Sequence, residues 1–282
     1  MYRFPRLVLR LAARLPLAAA HLLGSVLGWV IYGISPTYRR HLRENLVQAG
    51  YAGARVRREA IAGAGQMLAE LPMVWFRPRE RVASLVKRVQ GLEAALEARA
   101  AGKAVVFLTP HMGCFEIAAQ YAAERMPITV LYRPPKIGWL EPVMREGRAH
   151  PNLRLAPADV SGVRGVLAAL KRGEAAGFLP DQVPGEGEGE WADFFGRKAY
   201  TMTLAARLAA RDNLLCLLAY ARRLPGGEGF EIVLRPLPAP LPGETATRRV
   251  NRALEALVRE CPGQYLWGYN RYKIPKGARP PP

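Results

Sequence analysis

Cysteine is scarce in this sequence and nowhere paired. Cys114, Cys216 and Cys261 stand far apart with no C-x-x-C motif, and the four histidines do not cluster near them. That spacing argues against a disulfide framework and a structural zinc site, and it fits a reducing, cytoplasm-facing environment. No G-x-G-x-x-G opens a helix after a strand and no P-loop is present, so nothing announces a dinucleotide or nucleotide cofactor. No cofactor and no metal are expected. Nor is there a recognisable RNA- or DNA-binding motif, and the basic residues are dispersed instead of gathered in one stripe. Acidic residues are few: 23 Asp and Glu face 41 Lys and Arg, for a net charge of +18.

Such a charge implies a polyanionic partner, whether nucleic acid, anionic lipid or an acidic carrier protein. Half of the 282 residues are hydrophobic, enough for a well-buried core. The segment Leu15–Ile34, LPLAAAHLLGSVLGWVIYGI, carries no formal charge and has His21 as its one ionisable group. It comes close to the length that crosses ~30 Å of hydrocarbon, and it ends in Trp29 and Tyr32, residues suited to an interface. A cleaved signal peptide fits poorly, because YGISPTYRRHLREN offers no small-residue cleavage site. A buried core helix is a second reading. The arginines at 3, 6, 10 and 14 favour a membrane anchor, spanning the bilayer or lying in its interface. Arginines flank both ends, so the positive-inside rule leaves the orientation open. His21 reads as incidental.

Downstream, helical segments over 35–76 break near Gly50–Gly53, and a further helix covers Leu92–Arg99. KAVVFLTP reads as a buried strand, CFEIAAQYAAER as a helix, PITVLYRPP as a strand, SGVRGVLAALKRGE as a helix and AAGFLPDQ as a strand. PGEGEGEWADFFG reads as a flexible glycine-rich loop. A helix in TMTLAARLAARD, strands in LLCLLAYARR and FEIVLRPL, and a helix in TRRVNRALEALVREC complete the pattern. This alternation predicts an α/β fold with a largely parallel sheet flanked by helices. Polar groups gather where strands end: His111 and Glu116, then Arg133, then Asp181 and Gln182.

FLTPHMGCFE is the stretch with the most chemistry. Imidazole suits general-base work near neutral pH once a partner holds one tautomer. With a sharp turn at Gly113 and a helix starting near Cys114, the Glu116 carboxylate lies in the first turn, within reach of a histidine left at the strand end. The pair would resemble the His and Asp part of a hydrolase triad, with the attacking hydroxyl supplied by the substrate. On spacing alone, H-x4-E is a weak pattern, and a capping histidine with a first-turn acid favoured by the helix dipole is the better explanation.

TPHMGCFE, followed by VLYRPPK, VRGVLAALKRGE, LPDQVPGEGEGEWADFFGRKAYT and QYLWGYNRYK, resembles the late acyltransferases of lipid A biosynthesis, the lauroyl and myristoyl transferases. The resemblance runs nearly the whole chain, to about Lys273. The wider superfamily includes glycerolphosphate acyltransferases, whose H-x4-D/E motif His111 and Glu116 match. The resemblance implies an inner-membrane enzyme with its catalytic domain facing the cytoplasm, moving a fatty acyl chain from acyl carrier protein to a hydroxyl of a lipid A precursor. It implies His111 as base and Glu116 as its orienting partner, with Arg133, Arg164, Asp181, Gln182 and Arg271 binding substrate or supporting the site. Asp181 reads as a group that positions Arg133 or the loop. The implied layout is an anchor helix over 1–40, an acyltransferase domain over 41–274 and a disordered tail over 275–282. The family's C-terminal W-x-H-R-R-F-K pattern is WGYNRYK here: Tyr269 and Asn270 depart from it, and Arg271 and Lys273 are kept.

The basic charge then has two fitting partners, an acidic carrier protein and the phosphates of the acceptor. An acyltransferase for another membrane lipid, such as a lysophospholipid or glycolipid, is the alternative within the enzyme class. A non-catalytic, membrane-tethered basic binding protein is the alternative outside it. Nucleic acid is not an expected partner.

Overall fold

A computed structural model describes residues 3–135 and 137–281; Met1, Tyr2, Lys136 and Pro282 lie outside it, as do the side chains of Arg3 and Phe4. The chain begins with α1 (Arg3–Ala12), α2 (Leu17–Ile34), α3 (Pro36–Gln48), α4 (Ala54–Phe76) and the short α5 (Arg79–Ala83). Then β1 (Val86–Gln90), α6 (Leu92–Ala100), β2 (Ala104–Leu108), α7 (Phe115–Ala123), β3 (Ile128–Tyr132), α8 (Leu140–Gly147), β4 (Leu153–Pro157), α9 (Val160–Lys171) and β5 (Ala175–Phe178) alternate. The chain closes through the hairpin β6 (Gly189–Phe194) and β7 (Arg197–Met202), α10 (Thr203–Ala209), β8 (Leu214–Arg223), β9 (Phe230–Pro236) and α11 (Ala246–Glu260).

Seven strands form one sheet in the order β1-β9-β8-β2-β5-β3-β4. The five from β8 to β4 are parallel, while β9 pairs antiparallel with β8 and carries β1 parallel to itself. The parallel α/β expectation therefore holds, with two reversed strands at one edge. Every residue of β2 is buried, which is why AVVFL is an unbroken apolar run: helices cover both of its faces. Ile117, Met126 and Val105 belong to the core on one side of the sheet, and Val106, Phe178 and Leu254 to the core on the other.

Five elements and the C-terminal tail differ from the sequence pattern. The edge strand β1 (VKRVQ) is mostly exposed and polar, so no hydrophobic period marks it. Neither α8 nor β4 shows a long enough apolar run to be read between Arg133 and Val160. The expected glycine-rich loop is in part the β6–β7 hairpin, its two-residue turn made by Phe195 and Gly196 at φ +47° and +73°. The described residues past Lys273 form no helix or strand, and Trp191 Nε1 donates to the Arg279 carbonyl at 3.0 Å.

The N-terminal helices lie against the domain. α2 runs along α4 with its backbone in contact: a Cβ on Gly65 would stand 1.9 Å from the Gly24 carbonyl oxygen, so this crossing tolerates only glycine. One third of α2 is buried, and its other side exposes Leu22, Leu23, Val26, Val30 and Ile34. Arg6 and Arg10, expected to face headgroups, both bond Glu146 of α8. His21 is not incidental. It is buried, and its Nε2 sits 2.7 Å from Oε1 of Glu70, a carboxylate that also binds Arg223 through both oxygens.

Candidate active site

His111 follows β2, the central strand, at its carboxyl end, where open parallel sheets place their sites. Pro110 ends the strand, and the chain then turns through Gly113 at φ +59°. A side chain there would meet the Ala221 carbonyl oxygen at 1.9 Å, so the turn needs glycine for both its dihedral and its closeness to β8. The backbone N–H groups around this turn are committed: Met112 to Pro110, Gly113 to Gln264 and Cys114 to Ala221.

β5 lies beside β2 with Phe178 opposite Leu108, so three residues further on Asp181 stands opposite His111. Asp181 is 2% exposed and binds His111 twice, Oδ1 to Nδ1 at 2.8 Å and Oδ2 to the backbone N–H at 2.8 Å. Burial pushes the Asp181 carboxyl up, but His111 and Arg271 outweigh it and hold the group below the usual carboxylate range. An ionised carboxylate only accepts, so Nδ1 carries the proton and Nε2 keeps its lone pair. Gln182 faces that lone pair, its amide nitrogen 3.1 Å from Nε2. The Phe115 ring, edge-on with centroids 5.0 Å apart, packs against the imidazole.

Glu116 does not orient the histidine. In the first turn of α7 its carboxylate accepts from Arg148 Nε at 2.9 Å and from Arg148 Nη2, and it also accepts from Trp75 Nε1 at 3.2 Å. Burial lowers the Arg148 pKa, yet the carboxylate outweighs this and raises it, so the guanidinium stays charged. The Asp181 role was hidden by distance along the chain, though a signal was present. Pro110 precedes His111 and Pro180 precedes Asp181 at the ends of two strands that prove to be neighbours.

His111, Glu116, Arg133, Arg148 and Gln182 line one cavity of about 240 Å³. An apolar extension runs beneath it, sharing Phe115 and Val130 and reaching Met126, Ile128 and Phe178. The arrangement is a histidine with a buried carboxylate on its Nδ1, two arginines on the same cavity lining, and an apolar space adjoining it.

A family model of bacterial lipid A biosynthesis acyltransferases matches residues 5–274. The chain belongs to that family. It is 28% identical over 222 residues to the lipid A biosynthesis lauroyltransferase of Escherichia coli (strain K12), covering 76% of this chain and 71% of that one. It is 27% identical over 212 residues to the palmitoleoyltransferase of the same organism, covering 74% and 68%. The Escherichia coli myristoyltransferase is 27% identical over 223 residues, covering 74% and 65%.

Within this lipid A acyltransferase chain, the remaining expected site residues divide. Arg133 is exposed at the cavity wall, as the end of β3 predicts. Arg164 is exposed on α9 and does not line the cavity. Arg271 is corrected from substrate binding to architecture. At 2% exposure it donates to the Tyr200 carbonyl at 2.7 Å and to Thr201 Oγ1 at 2.8 Å, tying the hairpin to the C-terminal segment. Tyr269, one of the two departures from the family's C-terminal pattern, accepts the Val183 N–H at 3.0 Å and so fixes the loop just past Gln182.

Proposed function

We propose that this protein transfers a fatty acyl chain from an acyl carrier protein thioester to a hydroxyl of a lipid A precursor at the cytoplasmic face of the bacterial inner membrane. The observation that carries the mechanism is the 2.8 Å contact of Asp181 Oδ1 with His111 Nδ1, which leaves Nε2 as the basic atom on the cavity side. His111 Nε2 takes the proton of the acceptor hydroxyl as its oxygen attacks the thioester carbonyl carbon. Asp181 stays ionised and stabilises the imidazolium. The tetrahedral intermediate collapses, the C–S bond breaks, and the thiolate leaves with the proton returned from Nε2. Products are an ester and the free carrier thiol.

The Met112, Gly113 and Cys114 N–H groups are committed, and the oxyanion is assigned to the side-chain cations of the cavity, Arg148 and Arg133. Glu116 acts on this step through Arg148, holding its guanidinium in place. The apolar extension bounded by Met126 and Phe178 receives the donor chain. The net charge of +18 suits both an acidic carrier and a phosphorylated acceptor, and both contacts weaken with salt.

The packing of α2 supports an interfacial position. If α2 crossed the bilayer, α4 alongside it would bring Glu59, Gln66 and Glu70 into hydrocarbon. Lying flat, α1 and α2 immerse Leu7, Leu11, Leu23 and Val26 and keep α4 within the protein.

The test is transfer of a radiolabelled acyl group from acyl carrier protein to a lipid A precursor by detergent-solubilised protein. Loss of a general base costs about 10²- to 10⁴-fold, so His111→Ala is expected to lose transfer on that scale with its melting temperature kept. A folded His111→Ala protein with wild-type rates would remove the base assignment. Wild type that acylates a lysophospholipid but no lipid A precursor would redirect the acceptor.

A further inference from the structure

Gln182 is the partition between two cavities. On one side it lines the cavity of Arg133 and Arg148. On the other it lines a separate apolar recess of about 240 Å³ between α2, α4 and the segment Leu266–Tyr269. Ile31 from α2, Ala64 and Leu68 from α4, and Leu266 from the C-terminal segment form its walls. Its one amide is that of Gln182, and the Tyr269 hydroxyl on its lining is already engaged by Val183 N–H.

The outer rim of the recess continues the exposed apolar side of α2. Leu27 and Ile34, 41% and 76% exposed, stand one turn before and one turn after Ile31 and therefore on its face. Leu68, 39% exposed, flanks the opening from α4. A hydrocarbon chain leaving a bilayer that wets α2 would meet aliphatic side chains and the Tyr38 and Tyr269 rings before it reached Gln182. There it meets the reacting atom. The Gln182 amide lies 3.1 Å from His111 Nε2, so any hydroxyl deprotonated by that nitrogen has to occupy the amide's position.

We propose that this recess is the subsite for a hydrocarbon chain of the lipid acceptor, entered from the bilayer beside α2, with Gln182 holding the place of the acceptor hydroxyl until the chain arrives. The inference rests on the acyl-transfer reading above. Donor and acceptor chains must be bound together for direct transfer, and two apolar spaces adjoin the His111 cavity: the slot reaching Met126 and Phe178, which shares Phe115 and Val130 with it, for the donor, and the recess at Ile31 and Ala64, which shares Gln182 with it, for the acceptor.

The experiment uses the full chain in vesicles of zwitterionic and anionic phospholipid. In one arm a lipid A precursor carries a diazirine on its acyl chains; in the other, acyl carrier protein carries the diazirine on its acyl group. After photolysis the acceptor probe is expected in peptides containing Ile31, Ala64 or Leu266, and the donor probe in peptides containing Met126 or Phe178. Acceptor label at Met126 or Phe178, or donor label at Ala64, overturns the assignment. Ala64→Phe, which fills the recess, is expected to raise KM for the precursor roughly tenfold while KM for the donor moves less than about twofold, since apolar contact is removed from one substrate alone. An unchanged precursor KM in a variant with wild-type melting also overturns it. Should Ala64→Phe fail to fold, the labelling pattern of the wild type decides by itself. Acceptor label in the recess without any acyl transfer would leave the subsite standing and remove the reaction proposed above.

Discussion

Two buried carboxylate networks flank the Gly113 turn, and they use the same chemical parts to opposite ends. On the cavity side, Asp181 holds His111 while Glu116 holds Arg148, and both held side chains line the cavity. Beneath the turn, Glu70 binds His21 and Arg223, all three under 10% exposed, and Arg223 Nη2 donates both to Glu70 Oε2 and to the Gly113 carbonyl, each at 2.9 Å. In the first network the histidine spends one ring nitrogen on its carboxylate and keeps the other toward the cavity. In the second, the histidine's Nε2 is the nitrogen taken by the carboxylate, and α2 seals it in. A His–carboxylate pair is thus not a sign of catalysis by itself. What the free nitrogen faces decides the outcome.

The largest effect that separates the two networks is expected from Asp181→Asn. The variant keeps the shape, but an amide can donate to Nδ1 and so favours the tautomer with the proton on Nε2. Transfer is expected to fall on the order of 10³- to 10⁴-fold, as in hydrolase triads with the wrong tautomer. His21→Asn should leave transfer per folded molecule within about twofold, because surface or structural substitutions away from the reacting atoms act through stability. A radiolabel assay normalised to folded protein checks both. Equal losses would erase the distinction drawn here.

How much of this was legible before the fold was known follows from sequence separation. β2, α7, β5 and α9 stand out because each meets its own periodic requirement locally: buried strands as unbroken apolar runs, helices with an apolar stripe. His111 and Glu116 are legible as chemistry since they are five residues apart in a strand-turn-helix unit. Their partners are not. Arg148 is 32 residues from Glu116, Asp181 is 70 from His111, and Arg223 is 153 from Glu70. Spacing along the chain therefore pointed to the nearer carboxylate, while the sheet register chose the farther one. The Arg271 side chain shows the converse error: an arginine in a recognisable motif looks like a ligand contact until its burial is known.

Glu70→Gln comes next in size, and its readout is stability. It leaves the Arg223 guanidinium buried without its counter-charge, which costs about 3–5 kcal/mol where a buried pair is broken from one side. Replacing both Glu70 and Arg223 by methionine should regain part of that loss, as measured by denaturant midpoint. The pH dependence follows from the same groups. Burial pushes the Glu70 carboxyl up, but Arg223 and His21 outweigh it and hold it below its ordinary value, in the same direction as Asp181. A folded-state pKa below the unfolded one stabilises above the unfolded carboxyl range near ~4 and is lost as pH falls through the folded value. Stability should therefore be flat with respect to these two groups above about pH 5 and decline on acidification below about pH 4, with Glu70→Gln declining less steeply. A decline centred near neutral pH would exclude this origin.

The smallest expected effect belongs to the two arginines that the sequence treated alike. Arg133 lines the cavity at the end of β3, and Arg164 is exposed on α9 outside it. Each substitution to alanine removes one unit from the same net charge, so the long-range field changes equally in both. Any difference between them must come from contact. A charge-assisted hydrogen bond to an acceptor phosphate or the oxyanion is worth enough for Arg133→Ala to lower kcat/KM roughly tenfold, whereas Arg164→Ala should stay within about twofold. Raising the salt concentration should shrink a field effect in both variants together and leave the Arg133 deficit in place, because a contact inside a cavity is screened far less than a distant charge. If the two variants match at every salt concentration, Arg133 contributes only to the field, and Arg148 would be left as the cation assigned to the oxyanion.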